Sequence, residues 1–207
     1  MQQDKTKFSK HKIDRMFRLG YKLAFENRNK IKQWDDIFAL WSCAATNGHI
    51  RAQFYLATYY DKGYGADKDL ELAFEWYLKA AKSGHRDSQY NVGVFYATGE
   101  LGFKDDKKKV FWYSKAAKAG LIDAQRDLGY SYFYGEGVKK DEKKAVYWYK
   151  KAAAKNDNKA LYNLGLCYMY GDGVTKSKRW AKYYFIKAEK FGHKQAKGQL
   201  KRIDKQE

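Results

Sequence analysis

Apolar residues recur along the chain at helical spacing, and that pattern itself recurs. Between Asp69 and Lys82, the residues Ala73, Trp76, Tyr77, Ala80 and Ala81 stand at i, i+3, i+4, i+7 and i+8. This is the apolar stripe of an amphipathic helix. From His49 to Lys62, Ala52, Leu56, Ala57 and Tyr60 mark a second such face. Together they predict a helix–turn–helix unit whose columns return every 36 residues: Gly48, Gly84, Gly120, Asn156 and Gly192; Ala52, Ser88, Ala124, Ala160 and Ala196; Tyr60, Tyr96, Tyr132 and Tyr168. Trp76, Trp112, Trp148 and Tyr184 keep the same step. So many columns in one register specify a repeat architecture.

Each column has a physical role. Asp69, Asp105, Asp141 and Ser177 precede the second helix of each unit, where an N-cap oxygen accepts from an orphan backbone N–H. The boundary glycines follow the last apolar residue, where the chain favours a left-handed C′ residue, and Asn156 is the next most tolerant choice. The small residues Ala57, Gly93, Gly129 and Gly165 let the paired helix approach closely. Gly63-Tyr-Gly65, Gly135-Glu-Gly137 and Gly171-Asp-Gly173 make the turns inside units. One unit departs: Leu101 replaces the second turn glycine and Lys109 the helix alanine, so an irregular turn is expected near Glu100–Phe103.

The stretches Asp127 to Val138 (Asp-Leu-Gly-Tyr-Ser-Tyr-Phe-Tyr-Gly-Glu-Gly-Val) and Ala145 to Ala153 (Ala-Val-Tyr-Trp-Tyr-Lys-Lys-Ala-Ala) resemble Sel-one-like repeats, relatives of the tetratricopeptide repeat. The resemblance implies an all-α fold, an α/α solenoid with a right-handed superhelix of about five units. It covers four full units, 48–83, 84–119, 120–155 and 156–191. Residues 1–47 hold a basic N-terminal segment and a degenerate first unit (Leu19-Gly20-Tyr21, Trp34 to Ala45), and 192–207 a partial capping helix. It further implies a non-catalytic protein–protein interaction module, in the manner of an adaptor in secretion or signalling or of a bacterial immunity protein that neutralises a secreted toxin. Members that bind cell-wall ligands are cysteine-rich, unlike this chain, so no small-molecule substrate is expected.

Composition narrows the picture. The 207 residues contain no Pro and 17 Gly, with 44% hydrophobic and 32% charged residues. Such a chain suits helices whose bends are made by glycine. No apolar run approaches the roughly 18 residues of a membrane span, and two Cys cannot build a disulfide framework, so a cytoplasmic location is expected. Cys43 and Cys167 belong to distant units and are expected to be buried. The net charge of +18 is concentrated at residues 1–34 and 156–207, whereas 35–83 are slightly acidic. Such asymmetry favours an anionic partner.

No constellation for catalysis stands out. His49, His85 and His193 occupy one repeat column and are spread along the chain, not gathered around an ion. The glycine turns lack the phosphate-loop Gly-Lys-Ser/Thr. No cofactor and no enzymatic activity are expected. What the core leaves over is a candidate groove on the first helices, placed by analogy with tetratricopeptide repeats: Phe54, Tyr90, Arg126, Tyr130, Phe133, Tyr134, Tyr162, Leu166, Met169 and Tyr170. Of these, Phe133, Tyr134, Tyr162, Leu166, Met169 and Tyr170 are expected to form a contiguous patch, the kind of surface that marks interaction sites. A basic ridge of Lys107, Lys108, Lys139, Lys140, Lys143, Lys176 and Arg179, with Lys109, Lys144 and Lys178 beside it, lies at the turns and starts of successive second helices. A protein with an acidic surface is the expected partner. Nucleic acid on the lysine ridge is the competing class.

Overall fold

The structure, a computed structural model, describes residues 8–26, 33–64 and 67–205. Every regular element among them is helical. First helices of successive pairs are α1 (Lys10–Tyr21), α3 (Ile50–Lys62), α5 (Arg86–Thr98), α7 (Ile122–Tyr134) and α9 (Asn158–Tyr170). Second helices are α2 (Trp34–Thr46), α4 (Leu70–Lys82), α6 (Asp106–Lys118), α8 (Glu142–Ala153) and α10 (Lys178–Lys190), and α11 (Ala196–Asp204) follows. A π-helical turn, Lys22–Glu26, extends α1.

The chain forms two compact units. The first runs to Phe95 and takes in Glu100–Gly102, and the second takes Tyr96–Gly99 and the chain from Phe103 onward. In the first, α1 to α4 pack in chain order, and Phe95 of α5 lies against Phe74 and Tyr77 of α4 at centroid distances of 5.5 and 6.3 Å. In the second, α6 to α11 pack consecutively. Each unit has its own core, around Ile37, Trp41 and Leu56 in one and around Tyr149, Leu161, Leu164 and Phe185 in the other.

The expected helix ends form as specified. Asp69, Asp105 and Asp141 accept from the amides of Leu72, Lys108 and Lys144 at 2.8, 2.9 and 2.9 Å, and Ser177 from that of Trp180 at 3.3 Å. The same residues donate their own amides to the carbonyls of Tyr60, Tyr96, Tyr132 and Tyr168, at 3.1, 3.0, 2.8 and 2.8 Å. One residue therefore caps the second helix and ties it to the end of the first. The boundary column is left-handed throughout, with Asn156 at φ 62° alongside Gly48, Gly84, Gly120 and Gly192.

The turns inside units show why two glycines recur. Gly135 and Gly137 both have positive φ, as do Gly171 and Gly173. At Gly137 a Cβ would collide with the backbone carbonyl of Asp106, and at Gly173 with that of Glu142. The second turn glycine is thus pressed onto the start of the preceding repeat's second helix. In the departing unit the second left-handed residue moves one place on, to Gly102, and Phe103 folds against Tyr96 at 5.4 Å. This is the irregular turn that Leu101 predicts. Gly65 lies outside the described residues.

The small-residue column works as a seat for an aromatic ring. A Cβ on Gly129 would stand 2.7 Å from the ring of Tyr149, and one on Gly165 would stand 2.5 Å from that of Phe185. In the degenerate first unit Gly20 plays the same part beneath Trp41, 2.8 Å from its Nε1. Tyr149, Phe185 and Trp41 are buried, and full burial of a side chain of this size contributes about 1.5–3 kcal/mol.

Two expectations need correction. Cys167 is buried, with its thiol pushed up to about 12 by desolvation, but Cys43 is only half-buried. The core face of α2 is taken by Ile37, Trp41, Ala44 and Ala45, and Cys43 falls off that stripe. Lys109 belongs to no exposed ridge. It is 6% exposed and holds Asp106 at 2.7 Å and Glu136 at 2.9 Å. A buried ammonium keeps its charge only with such partners.

A series at the turns separates backbone conformation from contact. Gly120 has φ +86° and nothing near its Cβ position, so Gly120→Ala should cost about 1 kcal/mol from φ alone. Gly120→Asn should cost less, since Asn156 already holds this column. Gly137→Ala adds a backbone collision and should destabilise by more than either. Urea denaturation of the three variants measures the order.

Candidate functional site: the first-helix surface

The groove column of the second unit divides into two kinds of residue. Arg126 on α7 is enclosed by carboxylates: Asp123 at 2.7 Å, Asp127 at 2.7 Å and Asp157 at 3.3 Å. These hold its guanidinium further toward the charged form than usual, against the opposing effect of burial. Asp157 is also the N-cap of α9, accepting from the Ala160 amide at 2.7 Å. Tyr162 on α9 lies flat on His193, with centroids 4.1 Å apart and planes at 13°, and its hydroxyl accepts from Gln199 at 3.2 Å. In the first unit Phe54 meets His85 at 4.7 Å, and Phe17 stacks on His49 at 4.4 Å. Each pair joins a first helix to the residue just after the next repeat boundary, a separation of 31 residues in the regular units. These side chains are joints between repeats. Tyr90 on α5 of the first unit is half-buried.

The second kind is open. Tyr130, Tyr134 and Tyr170 are 44%, 58% and 56% exposed. Tyr130 and Tyr134 touch at 4.4 Å, and Phe133 meets Tyr134 at 5.0 Å. Burial and the nearby Glu136 carboxylate raise the Tyr130 phenol above its ordinary pKa. Phe133, Tyr162, Leu166 and Met169 are partly buried against the core of the second unit. Met169 and Tyr170 also line a hollow of about 220 Å³ whose other walls include Lys176, Lys178, Arg202 and Ile203. Its lining mixes apolar Met169, Ala181 and Ile203 with cationic Lys176, Lys178 and Arg202.

The ridge is partly neutralised by its own repeats. Lys108 reaches Asp105 at 3.5 Å and Lys140 reaches Glu142 at 2.8 Å, while Lys144 pairs with Asp141 at 3.2 Å. Lys107, Lys139, Lys143, Lys176 and Arg179 are exposed. Lys140 and Lys143 border a shallow cleft of about 800 Å³ with Gly171, Gly173 and Thr175.

Sequence reasoning missed two recurrent devices. Gln53, Gln89 and Gln125, 36 residues apart and buried, donate Nε2 to the carbonyls of Ala45, Ala81 and Ala117 at 3.2, 3.2 and 3.1 Å. The spacing was there to be read. The capping role of the histidine column is the other. His49 Nδ1 accepts from the Ala52 amide at 3.0 Å and His85 Nδ1 from the Ser88 amide at 3.3 Å, so two of these rings are N-caps. Among the described residues no group of three or more His, Cys, Asp or Glu could hold a metal ion. No helix among them is long and apolar enough to cross a membrane.

Paired helices in a 36-residue register, with joints between repeats and open aromatics on the first helices, define a helical-repeat scaffold. The Sel1 repeat pattern matches residues 50–85, 86–121, 122–157 and 158–192, and the chain belongs to that family. Sel1 repeat proteins are generally protein-interaction modules built on a non-catalytic scaffold. The chain is similar to a protective antigen of uropathogenic Escherichia coli that displays an SLR fold, with 33% identity and a TM-score of 0.82 over 94% of this chain and 42% of that one. It therefore spans less than half the length of that antigen. A Sel1 repeat protein from Oxalobacter formigenes is 31% identical, with a TM-score of 0.81 over 91% of this chain and 74% of that one. An immunity protein from Pseudomonas aeruginosa is 25% identical, with a TM-score of 0.52 over 89% and 67%. No curated protein sequence matches the chain significantly.

The histidine joints make stability depend on pH. Burial lowers the pKa of His49, His85 and His193, with Asp14 opposing at His49 and the nearby Asp87 and Asp157 carboxylates opposing at the other two. Below about 6.5 the unfolded chain takes up protons that the folded rings resist. Stability is therefore full above that pH and falls as pH drops toward the folded-state values. His85→Asp copies Asp157 of the same column and keeps a cap without an imidazole. Its unfolding midpoint should fall less than the wild type's between pH 7.5 and 5.5, both bracketing the reference value of about 6.5; equal slopes would remove the histidine from the account.

Proposed function

We propose that this protein is a non-catalytic interaction module that binds a partner protein through the first helices of its second unit. The observation that carries this reading is the exposure of Tyr130, Tyr134 and Tyr170 on a scaffold that has no structural use for them there. Tyrosine is favoured at binding hot spots because it offers a large rigid surface with a polar tip. Phe133 lies beside Tyr134, Met169 lines a hollow together with Tyr170, and Leu166 packs against the core of the same unit. Arg126, Tyr162 and Phe54 contribute by holding the repeats in register. The cations lining the hollow beside Tyr170, together with the net charge of +18, suit a partner with an acidic surface. A cytoplasmic site of action is part of the same proposal.

The particular role proposed is that of an immunity protein neutralising a toxin, with an adaptor in secretion or signalling as the other form of the same activity. The similarity to the Pseudomonas immunity protein supports it. Fold-level likeness alone does not transfer a function, so the test is direct. Tyr130→Ala/Tyr134→Ala/Tyr170→Ala changes exposed rings and should leave the fold intact. Wild type should hold a stoichiometric partner from nuclease-treated native lysate through several washes at high salt, and the triple variant should lose it. Co-expression with that partner should protect the host if the partner is a toxin. A partner held equally by the variant would move the site elsewhere, and capture that vanishes with nuclease would end the protein-binding reading.

A further inference from the structure

The second helices of the second unit carry the same outward triad three times. On α6 it is Lys107, Phe111 and Lys115; on α8, Lys143, Tyr147 and Lys151; on α10, Arg179, Tyr183 and Lys187. A spacing of four keeps each triad on one face of its helix, and the triads are one repeat apart. The rings are 52%, 53% and 45% exposed. In each triad the second lysine lies over its ring, at 4.8, 5.5 and 5.6 Å from the centroid. None of these cations takes part in a salt bridge among the described residues, whereas the adjoining acids Asp106 and Glu142 are tied to Lys109 and Lys140. Glu189 is the acid near the end of α10.

Stability does not call for this arrangement. The rings cover no core, and a cation in the first turn of a helix opposes its dipole. The repeat does not impose it either, since the corresponding positions of α4 are Glu71, Glu75 and Lys79. The lattice is therefore a property of the second unit, laid over the fold.

We propose that the outward faces of α6, α8 and α10 bind single-stranded nucleic acid. Binding of a single strand without sequence preference needs cations that track the phosphates and flat rings on which bases stack, and this surface supplies both at each step. A duplex hides its base faces and would leave the rings unused. An acidic protein or an anionic membrane would satisfy the cations without offering each of the three exposed rings a flat face to stack on. This surface lies on the second helices and is independent of the tyrosines on α7 and α9, so either can fail without the other.

The test is anisotropy of a labelled oligodeoxythymidylate of about twenty nucleotides, longer than the roughly 4–16 that small single-strand modules occupy. Wild type should bind it more tightly than a duplex of equal length, with affinity falling as salt rises. Phe111→Leu/Tyr147→Leu/Tyr183→Leu keeps apolar surface and every charge. It should weaken binding about tenfold or more without changing the salt dependence. Lys107→Gln/Lys143→Gln/Arg179→Gln should instead reduce the logarithmic salt slope by about 2. Tyr134→Ala/Tyr170→Ala should change neither. The proposal is overturned by absence of binding at low salt, by equal affinity for duplex or heparin, by indifference to the ring substitutions, or by binding confined to anionic vesicles.

Discussion

The architecture depends on a ring pressed onto a glycine. Tyr149 on Gly129 and Phe185 on Gly165 leave no space for a side chain between the two helices of a repeat. That contact fixes how closely each pair approaches and which face of the first helix is consumed by its own partner. The residue that caps the second helix fixes the pair's other end, through its side chain and its amide together. With both ends held, the first helix has two faces left. One meets the next repeat and the other meets solvent.

The face toward the next repeat explains the mixed chemistry of a single sequence column. Phe54 against His85, Arg126 against Asp157 and Tyr162 against His193 are an aromatic–imidazole contact, an ion pair and a stacked pair. All do one task at one register position. The ion pair works half-buried because Asp123 and Asp127 add further hydrogen bonds to the guanidinium; an incompletely satisfied buried charge would be destabilising. The same logic keeps Lys109 in an alanine column, where Glu136 reaches across from the following turn.

Much of this was legible in the sequence. The caps, the left-handed Asn156 and the displaced turn at Leu101 all follow from one residue's local preference, and a 36-residue register shows such preferences four times over. The site was less legible. Periodicity places Tyr134 and Tyr162 on first helices alike, but it does not say that His193 covers one ring and water the other. That distinction is made by contacts 31 residues apart, and those depend on how the helix pairs stack. Lys109 was misplaced for the same reason, since Asp106 is a neighbour on its own helix but Glu136, 27 residues on, meets it only in three dimensions. The outward triads needed no stacking information; the basic ridge already held Lys107, Lys143 and Arg179, but the second helices were read for charge and not for the rings four residues further on.

The central claim is that the groove column is divided between joints and free rings. The most direct test compares Tyr162→Ala with Tyr170→Ala by urea denaturation, followed by far-ultraviolet circular dichroism. Tyr162 is packed on His193 and held by Gln199, so its loss should destabilise the fold by about 2 kcal/mol or more, whereas Tyr170→Ala should stay within about 0.5 kcal/mol of wild type. Equal effects, or a larger loss at Tyr170, would contradict the division.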